Sequence, residues 1–335
     1  MHLILAFTLA AVAASEQTST PPVETARQAG SRMPQAPASL QQRIALLAEP
    51  FGIHSGVAVQ SAEDGWTAGV NLDRIFQQQS VFKIWVAAAA LEAVDRGSLS
   101  WDEPIRIERA DLIFPYQPIE KEIGKDGHAF TVEELVRWSV IHSDNPSVDA
   151  LIKRLDGPAA VQTALNRMGV NGIRIDAGER ELYAMADQGR SALAAAPVAE
   201  KAGVFEKIFR DPRNTATPAG TAAALARLKK GELLSAASTQ RLLSIMAETA
   251  TGPNRLKAGA PSGWTLAHKT GSGGETDGAT NGTNDVGVMT APSGRSYAVA
   301  VFTWGTRRPL LDRERLMADV ARAVADWENA RSRAQ

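Results

Sequence analysis

The chain of 335 residues is long enough for about two domains of ~150 residues or for one larger α/β unit. Its composition, with 44% hydrophobic and 22% charged residues, is that of a folded globular protein and excludes disordered, collagen-like and disulfide-scaffold classes. A net charge of -1 supplies no field that would gather nucleic acid or anionic lipid, so nucleic acid is not an expected partner. The absence of cysteine excludes thiolate nucleophiles, zinc–thiolate sites and iron–sulfur clusters.

The beginning of the chain has the pattern of a secretory signal. An apolar run over residues 3–14 is too short to cross a bilayer and ends in small residues. We therefore predict a signal peptide over residues 1–14 and a periplasmic or secreted location; a frayed helix is the alternative. No later run reaches the ~20 apolar residues that a membrane span needs, so no membrane insertion is expected after signal cleavage.

The next segment, residues 15–38, contains four prolines and no aromatic residue, and we predict a disordered tether there. Folding is expected to start with a helix capped by Ser39, followed by two short strands over residues 56–61 and 66–71. A final helix capped by Asp312 closes the chain. Three more strands are predicted before it, over residues 264–270, 285–290 and 296–303.

The middle of the chain has the pattern of helices. Residues 80–96 are apolar nearly all round and end at Gly97, which predicts a buried central helix. Thr131 and Glu134 form a capping box at the start of another helix, and helical patterns continue to about residue 228. The expected fold is α/β (α+β), with a five-stranded antiparallel sheet flanked by helices. The predicted domains are a discontinuous sheet domain, residues 39–75 and 229–330, and an all-helical domain, residues 76–228.

Ser80 and Lys83 form a Ser-x-x-Lys pattern at the start of the predicted buried helix. Residues three apart share a helix face, so the lysine amine can reach the serine hydroxyl and accept its proton. Burial in an apolar helix lowers the pKa of a lysine toward that of a useful base, and the helix N-terminus favours a developing oxyanion. On its own the pattern is more typical of a serine-capped helix with a snorkelling lysine.

Two further segments carry polar groups that could serve chemistry. Residues 143–145 (Ser-Asp-Asn) follow an apolar-periodic helix and precede a proline; a plain helix-breaking turn has the same composition. Residues 269–272 (Lys-Thr-Gly-Ser) end a predicted strand, where lysine and threonine side chains can hold a carboxylate. Each segment alone is also typical of an ordinary turn or strand end, so their combination carries the argument.

The three motifs together, in this order and on these elements, resemble the set of the class A serine β-lactamases and their penicillin-binding relatives. The resemblance extends over about residues 40–327. It implies an enzyme that hydrolyses the β-lactam amide of penicillins and cephalosporins through an acyl-enzyme. It also implies a monomer that uses a small-molecule β-lactam as substrate and needs no cofactor and no metal.

The resemblance also implies a role for individual residues. Ser80 is the acylated nucleophile, Lys83 its neighbour in the proton relay, and Ser143 the donor of a proton to the departing nitrogen. The backbone N–H groups of Ser80 and Ser272 are expected to form the oxyanion hole. The implied substrate-binding residues are Asn145 for the acylamide side chain, Lys269, Thr270 and Ser272 for the carboxylate, Arg255 as its reinforcement, and Tyr116 as an aromatic wall.

Turnover needs a carboxylate that activates water for attack on the acyl-enzyme. Glu179 occupies the position of the family's Ω-loop glutamate, with Leu182 three residues further on. The alternative is a solvated acidic loop, in which Glu181 is an equally charged neighbour. The family usually has asparagine directly after that leucine, to share the water, whereas this chain has Tyr183. A phenol can also donate and accept a hydrogen bond but is larger, so Tyr183 is expected at the site with a changed geometry.

The ion pair that usually joins the two ends of the Ω-loop is missing, because Ala177 and Ala192 occupy its positions. Its loss predicts a looser or differently folded loop, as in some extended-spectrum members of the family. We therefore expect activity on bulky oxyimino-cephalosporins.

Two other functions share the three motifs. A penicillin-binding D,D-peptidase or related esterase would lack a dedicated deacylating glutamate, and a non-hydrolysing penicilloyl-binding protein would be acylated at Ser80 and stay so. Glu179 is the residue that separates a hydrolase from both.

Overall fold

An antiparallel sheet completed by both ends of the chain carries the fold. The computed structural model describes residues 34–201, 203–204, 207 and 211–334. The predicted signal peptide and residues 15–33 of the predicted tether lie outside the described residues. Residues 34–37 have no regular secondary structure, and residue 38 already belongs to the first helix.

The described strands are, in chain order, β1 (Ser55–Ser61), β2 (Thr67–Val70), β3 (Phe76–Gln77), β4 (Pro104–Ile107), β5 (His128–Thr131), β6 (Thr215–Ala216), β7 (Thr265–Ser272), β8 (Glu275–Thr276), β9 (Ala279–Thr280), β10 (Thr283–Thr290) and β11 (Ser296–Thr303). Five of these described strands form the main sheet in the order β2-β1-β11-β10-β7, and every neighbouring pair is antiparallel. The predicted five-stranded antiparallel sheet is confirmed, and β7 is one of its two edge strands.

The described α-helices are α1 (Ala38–Ala48), α2 (Lys83–Asp95), α3 (Val132–Ile141), α4 (Asn145–Arg154), α5 (Pro158–Arg167), α6 (Glu179–Ala195), α7 (Pro218–Lys229), α8 (Ala236–Ala247), α9 (Leu256–Gly259) and α10 (Leu310–Arg333). Short 3₁₀ turns cover Glu49–His54, Gln79–Phe82, Arg109–Asp111 and Pro118–Glu122. None of the helices in the described part of the chain is long and apolar enough to cross a membrane.

Two of the predicted helix caps are wrong. The first helix begins at residue 38 with Pro37 in the N-cap position, and the last begins at residue 310 with Pro309 there. Proline has no backbone N–H to donate, so it is tolerated at the start of a helix, where the N–H groups have no partner within the helix. Asp312 lies inside the first turn, where its carboxylate still interacts favourably with the helix dipole.

The main sheet is covered on both faces because its side chains alternate. On β11, Tyr297, Val299 and Val301 face α1 and α10, and they pack with residues such as Leu40 and Val320. The alternate residues of the same strand face the larger cluster around α2. The sheet therefore forms the middle layer of the fold.

The central helix α2 is buried as predicted: its residues 83–93 are all buried, Lys83 included. Gly97 follows it with φ 71°, the left-handed conformation typical of a C-terminal cap. Ser80 lies in the 3₁₀ turn that leads directly into this helix. From Pro34 onward the chain forms one compact unit, and its division into a sheet domain and a helical domain stays a prediction.

Candidate active site

The side chain of Lys83 contacts residues from the other predicted parts of the site. Its side chain is fully buried at the first position of α2, three residues after Ser80. The ammonium donates to the backbone oxygen of Ser143 at 2.7 Å and to Oδ1 of Asn145 at 2.6 Å, and it lies 3.0 Å from Oε1 of Glu179. One buried cation thus joins the motif on the central helix, the turn between α3 and α4, and the start of α6.

Ser143 is held between two ammonium groups. Lys269 donates to the Ser143 hydroxyl at 2.9 Å, while Lys83 binds the carbonyl of the same residue. Ser143 has φ 59°, and the next residue, Asp144, caps α4 by accepting the backbone N–H of Ser147 at 2.9 Å. The predicted turn at residues 143–145 therefore exists, and it aims a hydroxyl at the end of β7.

Burial sets the electrostatics of Lys269. It lowers the pKa of this lysine well below its usual range, and the positive charge of Lys83 lowers it further. The two lysine amines, both fully buried, therefore converge on Ser143, one on its carbonyl oxygen and one on its hydroxyl.

The end of β7 carries the hydroxyl groups of Thr270 and Ser272, and the buried guanidinium of Arg255 lies against it. Arg255 is 5% exposed and donates to the hydroxyl of Ser272 at 2.7 Å and to the backbone oxygen of Gly271 at 3.1 Å. The hydroxyl of Thr270 is 2.6 Å from that of Thr251. Arg255 therefore contacts the strand end through Ser272 and Gly271.

Glu179 is the first residue of α6, and its carboxylate faces Lys83. Glu181, the neighbouring acid, points elsewhere: its carboxylate accepts the backbone N–H of Gly178 at 2.7 Å and so caps the same helix. The ion pair with the buried lysine distinguishes the two glutamates.

Asp149 is a site residue that sequence reasoning missed. Its two carboxylate oxygens accept the backbone N–H groups of Glu179 at 2.6 Å and Arg180 at 2.9 Å, so a side chain of α4 caps α6 where Gly178 has none to offer. Burial, together with the nearby Glu179 carboxylate, raises the pKa of Asp149 to about 6. Its position four residues after Asn145, on the same helix face, was the available signal.

The two predicted tyrosines lie on different elements and make different contacts. Tyr116 is 51% exposed, and its hydroxyl donates to the backbone oxygen of His142 at 3.0 Å. Burial and the charge of Asp144 raise the pKa of Tyr116, which keeps this phenol protonated. Tyr183 lies one helical turn after Glu179 and packs edge-on against Phe114, with ring centroids 6.3 Å apart.

The segment before α6 is fixed without the family's ion pair. Asn214 accepts the backbone N–H groups of Asp176 at 2.8 Å and Ala177 at 3.0 Å, and it donates to the oxygen of Ala177 at 2.9 Å. Ala177 itself is buried, whereas Ala192 is exposed. An amide side chain therefore holds the chain where the usual charged pair is missing.

The described residues contain no group of three or more histidine, aspartate or glutamate side chains arranged to hold a metal ion. His268, next to Lys269 on β7, is buried and pairs with Asp285, 2.9 Å away on the neighbouring strand. This contact joins two neighbouring strands of the main sheet.

Comparisons with known proteins show the family to which the chain belongs. The Beta-lactamase enzyme family matches residues 39–327. Among characterised relatives, extended-spectrum beta-lactamase PER-1 of Pseudomonas aeruginosa is 32% identical over 274 residues, 82% of either chain. Beta-lactamase VEB-1 of the same organism is 32% identical over 273 residues, 81% of this chain and 84% of the relative.

Solved structures give the same result. A beta-lactamase from Chitinophaga pinensis DSM 2588 has a TM-score of 0.75 at 33% identity and covers 86% of this chain and 99% of its own. A reconstructed ancestral class A beta-lactamase has a TM-score of 0.72 at 33% identity, with the same coverage. The chain belongs to the β-lactamase enzyme family and is a class A serine β-lactamase that hydrolyses β-lactams.

Proposed function

We propose that the protein opens penicillins and cephalosporins by acylation of Ser80 and releases the product with a water activated by Glu179. The observation that carries this proposal is the 3.0 Å contact between Glu179 and Lys83, because Lys83 lies one helical turn from Ser80. An acid in that position is what a D,D-peptidase or a non-hydrolysing penicilloyl-binding protein would lack, and the relatives named above are all β-lactamases.

In the proposed acylation, Oγ of Ser80 attacks the carbonyl carbon of the β-lactam ring, and its proton passes to the Lys83–Glu179 pair. Backbone N–H groups of Ser80 and Ser272 stabilise the oxyanion. When the ring C–N bond breaks, the nitrogen takes the proton of the Ser143 hydroxyl. The hydrogen bond from Lys269 stabilises the resulting oxygen, since that ammonium is 2.9 Å away. Ser143 then recovers a proton from the Lys83–Glu179 pair, which had taken the proton of Ser80, so the protons balance.

In the proposed deacylation, Glu179 removes a proton from water while the water oxygen attacks the ester carbonyl. The ester bond to Ser80 breaks, and the serine oxygen receives a proton back. Asp149 supports this step because its carboxylate fixes the backbone of Glu179. Tyr183, one turn further along α6, is the residue proposed to help hold this water.

Substrate binding follows from the charges around β7. Lys269, Thr270 and Ser272, with Arg255 behind them, are proposed to hold the substrate carboxylate. Asn145 is proposed to bond the acylamide group; in the free protein its side-chain oxygen accepts from Lys83. Tyr116, half exposed at the rim, is the proposed aromatic wall.

The proposed substrate range includes bulky oxyimino-cephalosporins. PER-1 and the solved structure of TLA-3, a further match with a TM-score of 0.75 at 30% identity, are both named extended-spectrum beta-lactamases. The replacement of the usual ion pair by Asn214 supports a loop that differs from that of narrow-spectrum members. If the purified protein cleaves penicillin efficiently but leaves oxyimino-cephalosporins intact, the proposed substrate range is refuted.

The proposed setting is the periplasm or the exterior of the cell, as a monomer that does not insert into a membrane after signal cleavage. The support is the apolar run at residues 3–14, a sequence feature outside the described structure. Fractionation of expressing cells and the mass of the purified protein by light scattering test the location and the oligomeric state.

Intact-mass spectrometry with a penicillin tests the mechanism. The wild type should show a short-lived adduct, Glu179→Gln a persistent one, and Ser80→Ala none. Glu181→Gln is the matched control, because it changes the neighbouring acid and should turn over like the wild type. A short-lived adduct in Glu179→Gln, or an adduct in Ser80→Ala, would refute the assignment.

A further inference from the structure

Gln79, the residue directly before Ser80, has an unusual backbone conformation. Its φ is 50°, in the left-handed region that residues other than glycine, asparagine and aspartate rarely adopt. Such a conformation persists only where surrounding contacts over-determine it. The contacts of the Gln79 side chain therefore show what holds it.

The side chain of Gln79 crosses to another part of the chain. Its amide nitrogen donates to the backbone oxygen of Asn281 at 2.7 Å and to the side chain of Gln77 at 3.3 Å. Asn281 belongs to the segment that follows Ser272, residues 273–282, which we call the edge hairpin. It contains β8 and β9, and its base is closed by two backbone hydrogen bonds of 2.8 Å.

Two glycines at the base of the edge hairpin make room for Gln79. A Cβ atom added to Gly273 would lie 2.9 Å from Cδ of Gln79, and one added to Gly282 would lie 2.7 Å from its Cγ. Both distances are too short for carbon atoms in contact, so side chains at these positions would displace Gln79. The glutamine thus fills the space between the two ends of the hairpin and bonds one of them.

The far side of the edge hairpin is held separately. Arg307 donates to the carboxylate of Asp277 at the tip at 2.8 Å, and both partners are exposed. The backbone N–H of Thr280 donates to the oxygen of Thr306 at 3.0 Å. Arg313 also donates to the carboxylate of Glu275 at 2.7 Å. Gln79 therefore couples the hairpin to the segment that carries the nucleophile, while these other contacts hold the hairpin to the end of β11 and to α10.

We propose that Gln79 is a positioning residue that determines substrate specificity: it fixes the distance of the edge hairpin from Ser80 and so sets the room for a bulky substituent of a cephalosporin. The inference rests on the proposed function. A β-lactam that reacts at Ser80 and extends along the end of β7 lies beside Gly273, the first residue of the hairpin. A large oxyimino substituent then contacts the hairpin, whereas a small penicillin side chain does not reach it.

The variant Gln79→Asn tests the inference. Asparagine tolerates the left-handed backbone and keeps the amide, but it is one methylene too short to reach Asn281. We expect KM for an oxyimino-cephalosporin to rise at least tenfold with kcat changed by less than threefold, and kcat/KM for benzylpenicillin to fall by less than threefold. Gln79→Met, of similar length but without the amide, should change the two sets of kinetic constants in the same way as Gln79→Asn.

Arg307→Ala is the matched control, because it breaks a different contact of the edge hairpin, the one at its tip, without touching the segment before Ser80. It should leave the ratio of the two kcat/KM values unchanged. Equal losses on both substrates in the Gln79 variants would overturn the inference and indicate a displaced nucleophile.

Hydrogen–deuterium exchange of the substrate-free protein separates this inference from the proposed function. Peptides spanning residues 273–282 should exchange at least tenfold faster in Gln79→Asn, with the peptides of α2 unchanged. Unchanged exchange of the hairpin overturns the coupling whatever the activity. If the wild type cleaves benzylpenicillin but no oxyimino-cephalosporin, the proposed substrate range is wrong, and so is the role of Gln79 in specificity. The coupling of Gln79 to the edge hairpin is then decided by the hydrogen–deuterium exchange alone. Failure to cleave either substrate would refute the proposed function itself.

Discussion

The two halves of the site are built from regions of very different burial. On one side, Ser80 lies in the turn that leads into the buried helix α2, and Lys83 and Lys269, on α2 and β7, are both fully buried. The side that carries Glu179 and Tyr183 is α6, a helix of 17 residues, all described, of which none is fully buried. One reaction therefore depends on a rigid region for its first step and on a surface helix for its second.

The surface helix depends on its first turn for its position. Leu182, Met185 and Leu193 are only half-buried, so the helix gains little from burial, and local opening is expected to cost less there than in α2. What fixes it are polar contacts: Asp149 on its first N–H groups and Lys83 on Glu179. The comparison predicts that changes on the buried side abolish acylation, whereas changes on the exposed side slow deacylation selectively.

Removal of the central cation should have the largest effect. Lys83→Ala deletes the group that contacts Ser143, Asn145 and Glu179, and we expect kcat/KM to fall by about 10³-fold or more, with acylation itself slowed. Stopped-flow acylation kinetics measure it, and Lys153→Ala, an exposed lysine on α4, is the control. Acylation at the wild-type rate would show that the buried side is not the acylating one.

The protonation of Asp149 should make the free energy of unfolding depend on pH. Its folded-state pKa of about 6 is above the ordinary 3.8, so its protonated form favours folding. This contribution is fully present below pH 3.8 and is lost as the pH rises through 6, an effect of about 3 kcal/mol. Urea unfolding at pH 4 and 7.5 should show the wild type losing about that much more stability than Asp149→Asn. Parallel pH profiles would contradict the prediction.

Asp149→Asn should also slow deacylation more than acylation. Asparagine offers one acceptor oxygen where two N–H groups need one each, so Glu179 should lose its fixed position. Loss of a hydrogen bond to a charged acceptor costs about 2 kcal/mol, which corresponds to a deacylation rate about thirtyfold lower. Single-turnover kinetics should show acylation changed by less than threefold. Equal slowing of both steps would mean that Asp149 acts on the whole site.

A matched pair of glycine substitutions tests the difference in burial. Ala88→Gly in α2 removes a buried methyl group as well as helix propensity, and should lower the free energy of unfolding by about 2 kcal/mol. Ala186→Gly, at an exposed position of α6, should cost about 1 kcal/mol or less. Chemical denaturation measures both; equal costs would mean that α6 is as firmly integrated as α2.

Some residues of the site could be found from the sequence because their order along the chain is itself the signal. Ser80 and Lys83 share a helix face through their spacing, and the turn at 143–145 and the strand end at 269–272 are marked by local composition. The ends of the first and last helices could not be placed from such signals, because prolines at 37 and 309 took the positions given to Ser39 and Asp312. Local propensity predicts an element better than its boundary.

Other contacts were beyond any local pattern. Asp149 caps a helix that starts 30 residues later, and Gln79 bonds an oxygen 202 residues away. Neither pairing follows from sequence spacing, since both depend on how α4, α6 and the edge hairpin meet in space. The sequence does place Asp149 on the helix face of Asn145, but the group that each of these two side chains binds is visible only in the folded structure.

The amino-acid sequence by itself determined the sheet, the buried central helix and the motif set of a class A β-lactamase, because alternation, helical periodicity and short-range spacing act within a few residues. The tertiary structure decided which of two neighbouring glutamates faces the lysine, which aspartate caps its helix, and what fixes the hairpin beside the nucleophile. Those outcomes depend on contacts between elements far apart in the chain, whose geometry is set by packing and by the need to pair buried charges.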